Sequence, residues 1–148
     1  MTGYLLDTNV VSMFAPARAE APRGFAEWLE RMDGEGRIFL SVVAVHEIER
    51  GVALLDARGA TAKARALRGW LAGLVAAYGE KILALDAPAA AKSGSLEAAA
   101  LGAGHDPGMA DALVAGIAKA HGLTVLSRNA KHFAPFGVDF VTPEEACG

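Results

Sequence analysis

The sequence is poor in features that mark several functional classes. It has one cysteine among 148 residues, Cys147, so it can form no intramolecular disulfide, no thiolate zinc cluster and no redox pair. That thiol lies one residue from the end and is expected to be frayed and incidental; the scarcity of cysteine fits a reducing compartment. Aromatic residues make up only 7%. The net charge is −3 and the pI about 5.8, so no overall basic surface advertises nucleic acid. Long hydrophobic runs are missing too. The longest uncharged apolar stretch, Gly69 to Gly79, is far short of the roughly 20 residues of a membrane span. The opening Met1-Thr2-Gly3-Tyr4-Leu5-Leu6-Asp7 lacks the basic and apolar regions of a signal peptide. A cytoplasmic protein without membrane contact is expected. There is no G-x-x-x-x-G-K-[ST] loop, no G-x-G-x-x-G after a strand and no G-x-S-x-G elbow. His46-Glu47 is not followed by a second histidine at H-E-x-x-H spacing.

What the chain does have is apolar bulk. Hydrophobic residues reach 53%, which excludes intrinsic disorder, and the length suits one domain over residues 1–148 with a core that needs no staples. The 32 alanines first suggest a largely helical protein, because alanine is a strong helix former.

Patterning along the chain changes that expectation. Tyr4-Leu5-Leu6, Ile38-Phe39-Leu40, Ile82-Leu83-Ala84-Leu85, Thr124-Val125-Leu126-Ser127 and Val138-Asp139-Phe140-Val141 are short apolar runs, read as buried strands. Between them lie helical patterns. Phe25, Trp28, Leu29 and Met32 repeat at i, i+3, i+4 and i+7, stopped by Gly34 and Gly36. A short helix is expected over Val10 to Phe14 and a loop over Ala15 to Pro22. Ser41 caps a helix running towards Gly59, Ala60 to Tyr78 forms another, and Asp86 caps one over Ala87 to Leu101. Met109 to His121 is ended by Gly122. Strands alternating with helices imply βαβ units and a parallel sheet covered on both faces.

In such a sheet, ligands bind beyond the carboxyl ends of the strands. Three acids stand out there. Asp7 closes the first strand, where a turn or cap role competes with a site role. Glu47 lies about two turns into its helix with Gly51 one turn further on the same face, which leaves room beside the carboxylate. Glu49 is the competing acid, about 200° around the helix, so at most one of the two faces a pocket. Asp111 opens an apolar helix, where a favourable contact with the helix dipole is the plainer role. Together the three suit a hard divalent cation such as Mg²⁺, which prefers carboxylate oxygens and leaves sites for phosphate oxygens. Such an ion orients water in an in-line phosphodiester displacement.

The residues also carry a resemblance. Leu5-Leu6-Asp7-Thr8-Asn9-Val10-Val11 resembles the opening of PIN-domain ribonucleases, and most closely the VapC toxins of type II toxin–antitoxin pairs, including their FitB-like branch. Ser41 to Gly51 is similar to that family's S-x-x-x-x-x-E-[LI]-x-x-G segment, Met109-Ala110-Asp111-Ala112-Leu113-Val114-Ala115 to its D-A-L-I-A block, and Gly122 to Phe133 to G-L-x-[LV]-x-T-R-N-x-x-[DH]-F. Gly137-Val138-Asp139-Phe140 resembles the strand that follows. The blocks occur in family order over residues 4 to 141.

The resemblance implies a three-layer α/β/α sandwich on a parallel sheet of about five strands. It implies Mg²⁺- or Mn²⁺-dependent endoribonuclease activity leaving a 5′-phosphate and a 3′-hydroxyl, with inhibition by a cognate VapB-like antitoxin. A homodimer is expected. Asp7, Glu47 and Asp111 match the metal-binding, catalytic acids, and Asn9 a polar residue lining the pocket. Ser127 stands where threonine is usual. Arg128 and Asn129 match a conserved pair, for which RNA contact and a turn held by side-chain hydrogen bonds are both open. His132 occupies the place of a fourth acid, which leaves one or two metals open. Arg18, Arg23, Lys63, Arg65, Arg68, Arg128 and Lys131 are candidates for a local basic patch, and Trp28 and Trp70 for anchors of an antitoxin helix or simply for core. Two other readings compete: a PIN-like module that binds RNA or protein without cutting, and a receiver-like phosphoacceptor domain using Asp86 or Asp7.

Overall fold

The computed structural model describes residues 2–16 and 21–148. Five strands form one sheet: β1 (Tyr4–Leu6), β2 (Ile38–Ser41), β3 (Ile82–Leu83), β4 (Thr124–Leu126) and β5 (Phe140–Val141). Their order is β3-β2-β1-β4-β5, and each neighbouring pair is parallel. This order is not the 2-1-3-4-5 order of receiver domains, so the phosphoacceptor reading falls on topology. The helices are α1 (Thr8–Val11), α2 (Phe25–Gly34), α3 (Val42–Ala57), α4 (Thr61–Tyr78), α5 (Ala87–Gly102), α6 (Met109–His121) and α7 (Pro143–Cys147).

Successive strand residues face opposite sides, and the two faces bury separate cores. Leu6 and Leu126 point to a core with Phe25, Trp28, Ile48 and Leu71, whereas Leu5 and Val125 point to one with Ala112, Ala115, Ile117 and Phe133. The result is the helix–sheet–helix sandwich expected from the alternating pattern, in place of the helical protein suggested by alanine content.

Differences from the sequence reading are local. The first helix starts at Thr8 and gives way to a 3₁₀ turn over Ser12–Phe14. The third and fifth strands are two residues each, shorter than their apolar runs. The last helix, α7, was not anticipated. It is fixed by a capping box in which Glu145 N–H donates to Thr142 Oγ1 (3.2 Å) and Thr142 N–H donates to Glu145 Oε1 (3.1 Å). This helix packs on α2 and tucks Cys147 against the first core, with its Sγ 3.8 Å from the Arg23 carbonyl oxygen, so the thiol is held rather than frayed.

β1 is the centre of the design. The chain leaves it towards β2 and β3 on one side, then returns through α5 and α6 to place β4 on the other. The carboxyl end of β1 is therefore a switch point where connections diverge, and a crevice opens there.

Candidate active site

Asp7 sits at that crevice because the β1 backbone ends on it. It keeps extended dihedrals (φ −69°, ψ 156°) and caps α1, with Oδ1 accepting from Thr8 N–H at 2.9 Å. Its other oxygen, Oδ2, accepts from Ser127 Oγ at 2.8 Å and from Asn9 Nδ2 at 3.4 Å. Asp7 is only 8% exposed. Burial raises its pKa above the usual carboxylate range. The bonds from Ser127 and Thr8 oppose that rise, and the negative charges of Asp111 and Glu47 add to it. The cap role weighed from sequence is present, in a carboxylate that also lies at the crevice.

Ser127 follows β4, which pairs with β1 in the register Leu6↔Leu126. Its hydroxyl is fully buried and saturated: it donates to Asp7 and accepts from Asn9 Nδ2 at 3.2 Å and from Asn129 N–H at 3.0 Å. Ser127 thus acts on Asp7 from within rather than on a ligand in the crevice. Asn9 bridges further, its Oδ1 accepting from Arg128 N–H at 3.0 Å. The backbones of Arg128 and Asn129 form the turn held by side chains, while both side chains are exposed.

Glu47 reaches the crevice from α3. Its Oε1 accepts a hydrogen bond from Thr8 Oγ1 at 2.6 Å. Glu49 turns to α4 instead, where it lies 3.7 Å from Arg68, so the competition between the two acids is resolved for Glu47. Thr8 is a site residue the sequence reading passed over. Its position between Asp7 and Asn9 was the available hint, but its partner lies 39 residues away.

Asp111, in the first turn of α6, is half-buried, and burial raises its pKa; His132 pulls it down and Glu47 pushes it up. His132 is exposed, yet it shares a cavity of about 390 Å³ with Asp111, Lys131 and His105. Asp86 caps α5 through a 3.0 Å bond from Ala89 N–H and takes no part in the site.

The three acids feel one another's charge, but among the described residues no three His, Cys, Asp or Glu side chains stand close enough to cradle a single ion unaided. The donor set still fits a hard cation. All three acids offer oxygens, two are strained towards protonation by burial and mutual repulsion, and a divalent charge offsets both effects. An ion there would keep several of its waters, as Mg²⁺ commonly does.

The basic candidates do not form one patch. Lys63 and Arg58 line a groove of about 420 Å³ that opens at Thr8 and Glu47, and Lys131 lies beside Asp111. Arg68 is engaged by Glu49 and Asp56, and Arg23 lies by Cys147. Arg18 is outside the described residues. Trp28 is core, whereas the half-buried Trp70 lines the groove.

The all-parallel five-stranded sheet with helices on both faces agrees with the PIN-domain family profile, which matches residues 4–136. The chain is 33% identical to Toxin FitB of Neisseria gonorrhoeae, over 94% of this chain and 96% of that protein. It is 31% identical to the VapC ribonuclease Y4jK of Sinorhizobium fredii, over 95% and 97%. The crystal structure of FitAcB from N. gonorrhoeae superposes with a TM-score of 0.81 at 32% identity, covering 95% of this chain and 98% of that one. The chain belongs to the PIN-domain family, in its VapC- and FitB-like branch. Among the described residues no helix is long and apolar enough to cross a membrane.

Proposed function

We propose that this chain is the toxin of a VapBC-type toxin–antitoxin pair, an endoribonuclease that hydrolyses RNA phosphodiesters with Mg²⁺, or Mn²⁺, held by Asp7, Glu47 and Asp111. The observation that carries this reading is the buried Asp7 carboxylate, clamped by Ser127, Asn9 and Thr8 and facing two further acids at the switch point of a PIN fold. Burying a charge beside two like charges costs stability, and a cation is the partner that offsets it. The relatives named as a VapC ribonuclease and as toxin FitB support the nuclease and toxin roles. A small cognate antitoxin as partner, and a homodimer, belong to the same proposal.

A bound Mg²⁺ supplies Lewis acidity, lowering the pKa of water and neutralising charge that develops on the phosphate. The chain's own residues do the positioning. Ser127 and the Thr8 amide fix both Asp7 oxygens, so the carboxylate cannot rotate away. Thr8 Oγ1 holds Glu47 Oε1 and leaves Oε2 as the oxygen with which Glu47 can hold water or take its proton. Asp111 enters from the opposite side on the rigid N-terminal turn of α6. Water then attacks the phosphorus in line and the 3′-oxygen leaves, giving a 5′-phosphate and a 3′-hydroxyl.

Asp7→Asn should abolish Mg²⁺-dependent cleavage of labelled RNA without unfolding the chain; cleavage by that variant at the parent rate, stopped by EDTA, would refute the assignment. Millimolar Mg²⁺ should raise the melting temperature of the parent and leave Asp7→Asn much less affected, because binding to the folded state alone stabilises it. A non-cleaving binding module would hold RNA equally with Mg²⁺ and with EDTA and never shorten it.

A further inference from the structure

Three cavities adjoin the acids, and the one between α1, α3 and α4 differs from the others in what lines it. Its mouth is Thr8 and Glu47, its wall is apolar and includes Trp70, and its far end, three turns of α3 from Glu47, carries Arg58 and Lys63. Both cations are exposed, and among the described residues neither has an ion-pair partner, although Arg68, five residues beyond Lys63 on α4, has two. Among the described residues Glu47 at the mouth is the one acid that lines it, against two cations, so the charge there favours an anion.

Gly51 supplies an independent sign. It lies in the interior of α3, where glycine costs roughly 0.5–1 kcal/mol relative to alanine. No packing requires it: a Cβ there would meet no atom within 4 Å. It does line the groove, one helical turn from Glu47, and any larger side chain would project into that space. Without a side chain at this position the groove stays open beside the acid.

We infer that this groove is a nucleotide subsite. It takes one unpaired base of single-stranded RNA against Trp70, with the phosphate of that nucleotide on Arg58 and Lys63, next to the phosphate to be cut. The inference rests on the RNA-cleavage reading above. A space of about 420 Å³ holds one nucleotide and not a duplex, and a base reaches an aromatic wall only when it is unpaired. The indole wall suits either purine or pyrimidine, with the larger purine stacking more strongly.

The test uses the full chain carrying Asp7→Asn, so that RNA is bound without being cut, and short fluorescein-labelled oligoadenylate and oligouridylate. Anisotropy is followed at several KCl concentrations with Mg²⁺ constant. Arg58→Ala and Lys63→Ala should each reduce the slope of log K against log [salt] by about 0.7, the single-strand value per phosphate contact. Lys119→Ala, on an exposed site at the far end of α6, should leave the slope alone. Binding should quench the tryptophan fluorescence, and Trp70→Leu should remove the quench although Trp28 remains. Gly51→Leu should weaken binding at least tenfold while keeping or raising the melting temperature. Parent-like slopes in both alanine variants, or parent-like affinity in Gly51→Leu, would overturn the subsite and leave the nuclease reading intact. Loss of binding to a partner protein in Gly51→Leu, with RNA binding unchanged, would assign the groove to a polypeptide and overturn it as well. If the parent cuts no RNA and Asp7→Asn binds none, the RNA reading itself falls and the subsite with it.

Discussion

The two faces of the sheet are filled in opposite ways. On the α5–α6 face the buried positions are small: Ala89, Ala100, Ala112, Ala115 and Ala118 have no exposed surface, and Phe133 and Phe136 supply the bulk. Gly116 lets the two helix backbones touch; a Cβ there would overlap the Ser93 hydroxyl and approach Ser93 N to 2.7 Å and the Ala89 carbonyl oxygen to 2.8 Å. On the other face the fillers are large. Phe25 stacks on Trp28 with ring centroids 5.7 Å apart, and Tyr4 meets Trp28 edge-on at 5.1 Å. On this looser face α3 and α4 leave the groove beside Glu47, and the Gly51 position has no neighbour within 4 Å. The tight face instead brings α5 backbone to backbone against α6, the helix that carries Asp111.

The sharpest way to break this comparison is the same substitution on both sides. Gly116→Ala should destabilise by about 3 kcal/mol, since its Cβ meets backbone that cannot move without separating α5 from α6. Chemical denaturation measures this, and a loss under about 0.5 kcal/mol would mean that the face is not tightly packed. A smaller effect is expected from Asp7→Asn. In EDTA this variant should melt on the order of 3 °C higher at neutral pH than the parent, because it removes a buried, repelled charge. The sign follows from the raised pKa. Below the unfolded value of 3.8 the carboxyl is protonated in both states and the variant gains nothing; the parent loses stability as pH rises through the folded value, and the variant's advantage grows over that window. A difference in melting temperature that stays flat with pH would contradict the burial argument. The smallest effect is Gly51→Ala, which should gain roughly 0.5–1 kcal/mol by thermal melting, opposite in sign to Gly116→Ala. A destabilised Gly51→Ala would show that the loose face is tighter than its geometry indicates.

Much of this was legible in the sequence, for identifiable reasons. The strands showed as short apolar runs between helical periodicities, and Asp7, Glu47 and Asp111 each fall where a strand ends or a helix presents its inner face. Helix α7 was missed because five residues carry no periodicity, although Thr142-Pro143-Glu144-Glu145 spells a capping box. The role of Thr8 was hidden because its hydroxyl finds Glu47 only after α3 crosses the end of β1. The division of the basic residues between two flanks was invisible for a similar reason: sequence proximity grouped Lys63 with Arg65 and Arg68, while the turning of α4 sends Lys63 to the groove and Arg68 to Glu49.

The bond from Ser127 to Asp7 spans 120 residues of sequence, and β4 lies directly beside β1 in the sheet. A chain still being synthesised carries Asp7 for 120 residues before the hydroxyl that clamps it exists, and the clamp closes only once β4 has been made and has inserted beside β1. For a toxin, that topology acts as a delay between making the first acid and holding it in place.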